Sequence, residues 1–149
     1  MYKHILIPTD GSRLSGKGAK QGVRLARALG AKVTGIYVSA PYYQPPTYVE
    51  GGVYIPGISA QAWRRYSEKQ AKKALAPVEA AARKARVRCA TRMVTAQKPS
   101  EGILRAARTL RCDAIAMASH HRGRVGSLLL GSETRKVLLQ SRIPVVVFR

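Results

Sequence analysis

Lys3-His4-Ile5-Leu6-Ile7-Pro8-Thr9-Asp10-Gly11-Ser12 decides how this chain is read. The apolar run ends abruptly in turn chemistry at Pro8 to Ser12. So short a run reads as a strand buried on both faces. Ser12 is a helix N-cap candidate. Beyond it, Leu14, Ala19, Val23, Leu25, Ala26 and Leu29 recur near helical spacing, and Gly30 is a natural stop.

The same grammar continues outward. Residues 31–38 return to strand. Residues 40–58 hold Pro41, Pro45, Pro46, Gly51, Gly52, Pro56 and Gly57 and predict a loop. Residues 59–86 predict a long helix that Pro77 should kink or interrupt. Residues 88–94 alternate and predict a strand near a sheet edge. Residues 99–110 predict a helix with Pro99 at its start and Glu101 in its first turn. Residues 113–118 are an apolar strand after one acid, 132–140 a helix and 143–148 the last strand. The order βαβαβαβαβ predicts a single α/β domain over 1–149, a three-layer sandwich with helices on both faces of a parallel sheet. Such sheets bind ligands outside the carboxyl ends of their strands. That rule points to Pro8–Ser12, Val38–Pro41 and Ala118–Ser132.

Charge is the compositional outlier. Lys and Arg number 27 against 7 Asp and Glu in 149 residues, a net +20. Such a field attracts polyanions. Along the sequence, however, the cations are scattered, with no run of five or six. Interleaved aromatics and a recognition motif are both lacking, so the expectation is a solvated basic surface rather than nucleic-acid binding as the main role. No apolar window approaches a membrane span, and the N-terminus lacks a signal-peptide pattern, so a cytoplasmic protein with no membrane partner is expected. Cys89 and Cys112 form no CxxC pair or Cys/His ligand set and are expected to be reduced thiols.

Several motifs bear on chemistry. Gly11-Ser12-Arg13-Leu14-Ser15-Gly16-Lys17-Gly18 nearly matches a P-loop, but Gly18 stands where a Mg²⁺-holding hydroxyl belongs. Gly126 to Gly131 has similar spacing without the Lys. GxSxG is absent, and His120-His121 has no acidic or thiol partner nearby for a metal. Tyr42, Tyr43, Tyr48, Tyr54 and Trp63 cluster around the 40–58 loop, either as a lid or partner contact or as ordinary packing. The stretch Met117 to Thr134 follows a buried strand and runs into a helix start. Gly131, Ser132 and Thr134 there suit phosphate, and equally suit a plain helix N-terminus.

Ile5-Leu6-Ile7-Pro8-Thr9-Asp10-Gly11-Ser12, Lys32-Val33-Thr34-Gly35-Ile36-Tyr37-Val38, and Leu128-Leu129-Leu130-Gly131-Ser132-Glu133-Thr134 with Ile143-Pro144-Val145-Val146-Val147 resemble the universal stress protein family over essentially the whole chain. The resemblance implies a Rossmann-like sheet in the order 3-2-1-4-5 and a homodimer through the last strand, here 144–148. It implies binding of ATP or AMP, with or without Mg²⁺, through a pattern Gly-x2-Gly-x9-Gly-Ser/Thr. Asp10 would face the nucleotide, Pro8 and Thr9 would line adenine and ribose, and Val38 and Met117 would flank the base. Gly131, Ser132 and Thr134, with Glu133 between them, would meet phosphate. Two positions depart from the pattern: Ala118 and His121 stand where its first two glycines belong. Were φ positive at 121, histidine would be strained there by roughly 1–3 kcal/mol. Its ring would then crowd the outer phosphates and favour AMP, or donate to a phosphate itself. The resulting expectation is a non-catalytic nucleotide-binding stress-response module. The alternatives are a dimer that has lost the nucleotide and acts through protein partners, and weak ATP hydrolysis.

Overall fold

A computed structural model describes residues 1–43, 57–119 and 131–148. Five strands form one parallel sheet: β1 (His4–Pro8), β2 (Lys32–Ser39), β3 (Cys89–Thr95), β4 (Ala114–Ala118) and β5 (Val145–Phe148). Their order is β3-β2-β1-β4-β5, as the resemblance implied. Alternate residues of β1 face opposite sides. Ile5 and Ile7 pack under α1 (Arg13–Leu29) and α2 (Ala60–Ala85), against Val23, Ala26 and Val78. Leu6 packs under α3 (Pro99–Thr109) and α4 (Ser132–Gln140), with Ile103, Ile115 and Val137. Burial on both faces is why β1 and β4 read as continuous apolar runs, whereas β3, at the sheet edge, alternates.

Local signals set the helix ends. The Ser12 hydroxyl accepts from Ser15 N, and Gly30 closes α1 in the left-handed region at φ 66°. α2 is capped likewise by Ser59, and Pro99 opens α3. Of the kink or interruption expected at Pro77, the interruption does not occur: α2 continues through it. Pro77 and Lys73 both lie on the exposed side of α2. The Lys73 carbonyl, deprived of its i+4 donor, therefore faces water rather than a dry core.

α1 seats unusually close to β4. A Cβ on Gly18 would stand 2.6 Å from the Ala118 Cβ, and one on Gly22 would stand 2.8 Å from Ile7 Cδ1. These two glycines are packing residues inside a regular helix, and one of them, Gly18, is the residue that breaks the P-loop match.

The amino ends of the strands are tied separately. The Asp113 carboxylate accepts from the backbone N–H groups of Lys3 and His4. The buried His4 ring bonds Thr34 Oγ1 at 2.8 Å, as a strand residue rather than a ligand. Burial, reinforced by Lys32, lowers its pKa. Cys89 and Cys112 are free thiols, and burial pushes Cys112 up to about 11. Among the described residues no helix is long and apolar enough to cross a membrane.

Candidate functional site

The chain runs β1-β2-β3 to one side of the sheet and returns to β4-β5 on the other. The direction therefore switches between β1 and β4. A cleft of about 730 Å³ opens there, at the carboxyl ends of the strands. Pro8, Thr9 and Asp10 enter it from β1, Val38 from β2, and Met117 and Ala118 from β4. Gly131, Ser132, Glu133 and Thr134 border it from the start of α4. Every site residue expected from sequence thus lines one cavity, except His121, which lies outside the described residues with His120, Gly123 and Gly126.

Hydrogen bonding gives these residues different tasks. Thr9 is buried, and its hydroxyl is held by Ser15 Oγ at 2.9 Å and Gly11 N at 3.1 Å. That hydroxyl is engaged within the turn by these partners. Asp10 Oδ1 accepts from Ser12 N at 2.9 Å, an Asx turn that leads into α1 while the residue stays exposed. Gly11 takes φ 81°, a conformation that favours glycine. Val38 is wedged against α3, where a Cβ on Gly102 would stand 2.8 Å from its Cγ1. Gly102 thereby fixes the wall that Val38 offers.

The α4 side is polar and well ordered by its neighbours. Gly131 N donates to the buried Ser119 hydroxyl at 3.1 Å. Gly131 caps α4 with no side-chain cap bond, and the helix start borders the cleft. Glu133 turns toward the neighbouring helix. Its Oε2 accepts from Ser100 N, in the first turn of α3, at 2.8 Å, and Lys136 Nζ donates to Oε1 at 2.6 Å. Burial alone would raise the Glu133 carboxyl. Lys136 and Ser100 outweigh it and hold the pKa below the ordinary carboxylate value.

Sequence reasoning missed Ser15, Tyr37, Pro99 and Ile103, which also line the cleft. Tyr37 had a usable signal, as it precedes Val38 at the strand end. Pro99 and Ile103 had none, because they reach the cleft only when α3 folds back over β2. Of the described aromatics near 40–58, none lines the cleft. Tyr42 donates to Ile58 O and Trp63 to Ala40 O, bonds that join the two described ends of that segment. Tyr48 and Tyr54 lie outside the described residues. No group of three His, Cys, Asp or Glu is gathered for a metal among the described residues.

A sequence model of the universal stress protein family matches residues 1–149. A universal stress protein of Methanocaldococcus jannaschii is 29% identical over all of this chain and 83% of its own length. Two solved structures match at TM-score 0.69. One is the universal stress protein of Archaeoglobus fulgidus in complex with dAMP, 19% identical, covering 99% of this chain and 98% of that one. The other is a universal stress protein in complex with cAMP, 18% identical, covering 99% and 97%. At such identities the structural likeness establishes a shared fold.

Proposed function

The chain belongs to the universal stress protein family, and from that premise we propose that its cleft binds an adenine nucleoside monophosphate without turning it over. One observation carries the reading: ten residues singled out from sequence converge on a single cavity at the switch point, bordered by the start of α4. Its volume of about 730 Å³ lies in the range of small-molecule sites. Val38, Tyr37, Met117 and Ile103 supply apolar walls suited to a purine. Asp10, exposed at the mouth, is placed to accept from ribose hydroxyls. Ser132 and Thr134 with the α4 N-terminus suit a single phosphate. The dAMP and cAMP complexes of structural neighbours support that ligand class.

AMP is favoured over Mg·ATP on charge chemistry. The cleft has two described carboxylates, Asp10 and Glu133, and that of Glu133 is engaged by Ser100 and Lys136. A homodimer through the β5 edge in the cytoplasm completes the reading.

Calorimetric titration of AMP and ATP, with and without Mg²⁺, into nucleotide-stripped protein tests it. Micromolar AMP binding, weakened at least tenfold by Asp10→Ala and by Gly131→Val, is expected. Absence of heat and of thermal shift at millimolar ligand would leave the second reading, a dimer acting through protein partners.

A further inference from the structure

Folding gathers cations that the sequence scatters. On α1, Arg13, Lys17, Lys20, Arg24 and Arg27 follow one another at steps of three and four residues, so they share one face. All five are exposed, and α1 contains no acid. At 1.5 Å per residue the row runs about 21 Å. Its far end opens into a hollow of about 410 Å³ at the amino ends of the strands, the pole opposite the nucleotide cleft. Lys3, Lys32, Arg86 and Arg88 join Arg27 in lining that hollow, with no acid among its lining residues.

Little of this charge is neutralised locally. None of the ion pairs among described residues involves any of these nine cations. Asp113, held ionised by the backbone N–H groups of Lys3 and His4, offsets one charge at this pole and leaves the cations in large excess. The C-terminal carbonyls of α1 and α2 add only partial negative charge.

We propose that the α1 row and the hollow it leads into form a docking surface for the phosphate backbone of duplex nucleic acid, without sequence preference. Three features select this partner. A linear row of cations on one helix face suits a regularly charged polyanion better than a compact anion. Single strands are held largely by aromatic stacking, and α1 carries no aromatic residue. Membrane-surface helices insert an apolar face, whereas the apolar face of α1, at Ala19, Val23 and Ala26, is buried on the sheet. The surface does not depend on the nucleotide reading.

The test is fluorescence anisotropy of two labelled duplexes of unrelated sequence, each about 20 base pairs, titrated with the full chain between about 50 and 200 mM salt. With five phosphates neutralised, log K should fall against log salt with a slope of about −4.5, a loss on the order of 10²–10³-fold across that range. Both sequences should bind equally. Replacing Lys17, Lys20 and Arg24 together by Gln should reduce the slope by about 3, and Arg24→Gln alone by about 1. The matched control replaces Arg92, Arg108 and Arg142 by Gln. All three are exposed and away from α1, and they remove the same net charge. The control should leave the slope unchanged, and thermal melts should show both triple variants folded. Equal losses in the two triple variants would reduce the effect to bulk charge and overturn the assignment. So would no anisotropy change at the lowest salt, or row-dependent binding to phosphatidylserine vesicles without duplex binding.

Discussion

Gly18 and Gly16 sit two residues apart in the same helix and are constrained in opposite ways. A Cβ at 18 meets the Ala118 Cβ at 2.6 Å and the Ala118 backbone N at 3.1 Å, so the backbone of β4 leaves no room. A Cβ at 16 meets only the Pro77 Cβ, at 4.0 Å, an ordinary contact. Gly18→Val should therefore force α1 off β4 and destabilise the fold by about 1–3 kcal/mol. Gly16→Ala should instead stabilise by about 0.5–1 kcal/mol, because glycine in a helix interior carries an entropy cost. Urea midpoints with unchanged m-values would read both. A Gly18→Val midpoint equal to wild type would mean that helix and sheet are not in this contact. Because Ala118 also lines the cleft, Gly18→Val should weaken AMP as well, whereas Gly16→Ala should not.

The joints between elements respond to acid. Asp113 ties β1 to the start of β4, and Glu133 ties α4 to the first turn of α3. Both carboxyls are held below their ordinary values by the N–H groups they accept from, against the opposing effect of burial. A depressed folded pKa contributes stability that is present above the unfolded value and lost as pH falls through the folded one. His4 adds the same sign: neutral and buried in the fold, it charges more readily once unfolded, near its ordinary value of about 6.5. Stability should thus fall below about pH 6.5 and steeply below about pH 4. Glu133→Gln and Asp113→Asn should flatten the lower limb, and a wild-type profile flat from pH 7 to 3 would contradict this. β5 is the outer strand opposite β3, and all four of its residues are half-buried. Paired with a second copy it would form a dimer, which Val146→Lys should dissociate in light scattering. A wild type monomeric at about 100 μM would exclude that pairing at the concentrations of weak association. The elements themselves were legible because helical and strand periods differ and each described helix opens on Ser, Pro or Gly. The cleft was legible because strand ends in parallel sheets face one way. The Glu133–Ser100 joint, the Ile103 wall and the Gly18 contact were not, since each depends on two segments that meet only after folding.

At the scale of the whole molecule, 27 Lys and Arg face 7 acids, and of the three ion pairs among the described residues two are exposed and one, Glu133–Lys136, is half-buried. Exposed pairs of this kind contribute about 0–1 kcal/mol each. Repulsion among the unpaired cations therefore dominates the surface electrostatics, and the compact state bears more of it than the expanded chain. Scattered cations looked like mere solvation in the sequence, because a helix face is invisible until its period is mapped onto a surface that the core leaves exposed. Salt should act here with a sign opposite to that in a protein stabilised by surface ion pairs. Raising NaCl from about 10 mM to about 150 mM shortens the screening length from about 30 Å to about 8 Å, shorter than the α1 row. If this relieves about 1 kcal/mol of repulsion, the melting temperature should rise by about 2–4 °C. Gln at 17, 20 and 24 should raise the low-salt melting temperature and shrink the salt increment. A melting temperature that falls as salt is added would show that attractive pairs outweigh repulsion, and the α1 row would then be neutralised by partners within its own fold.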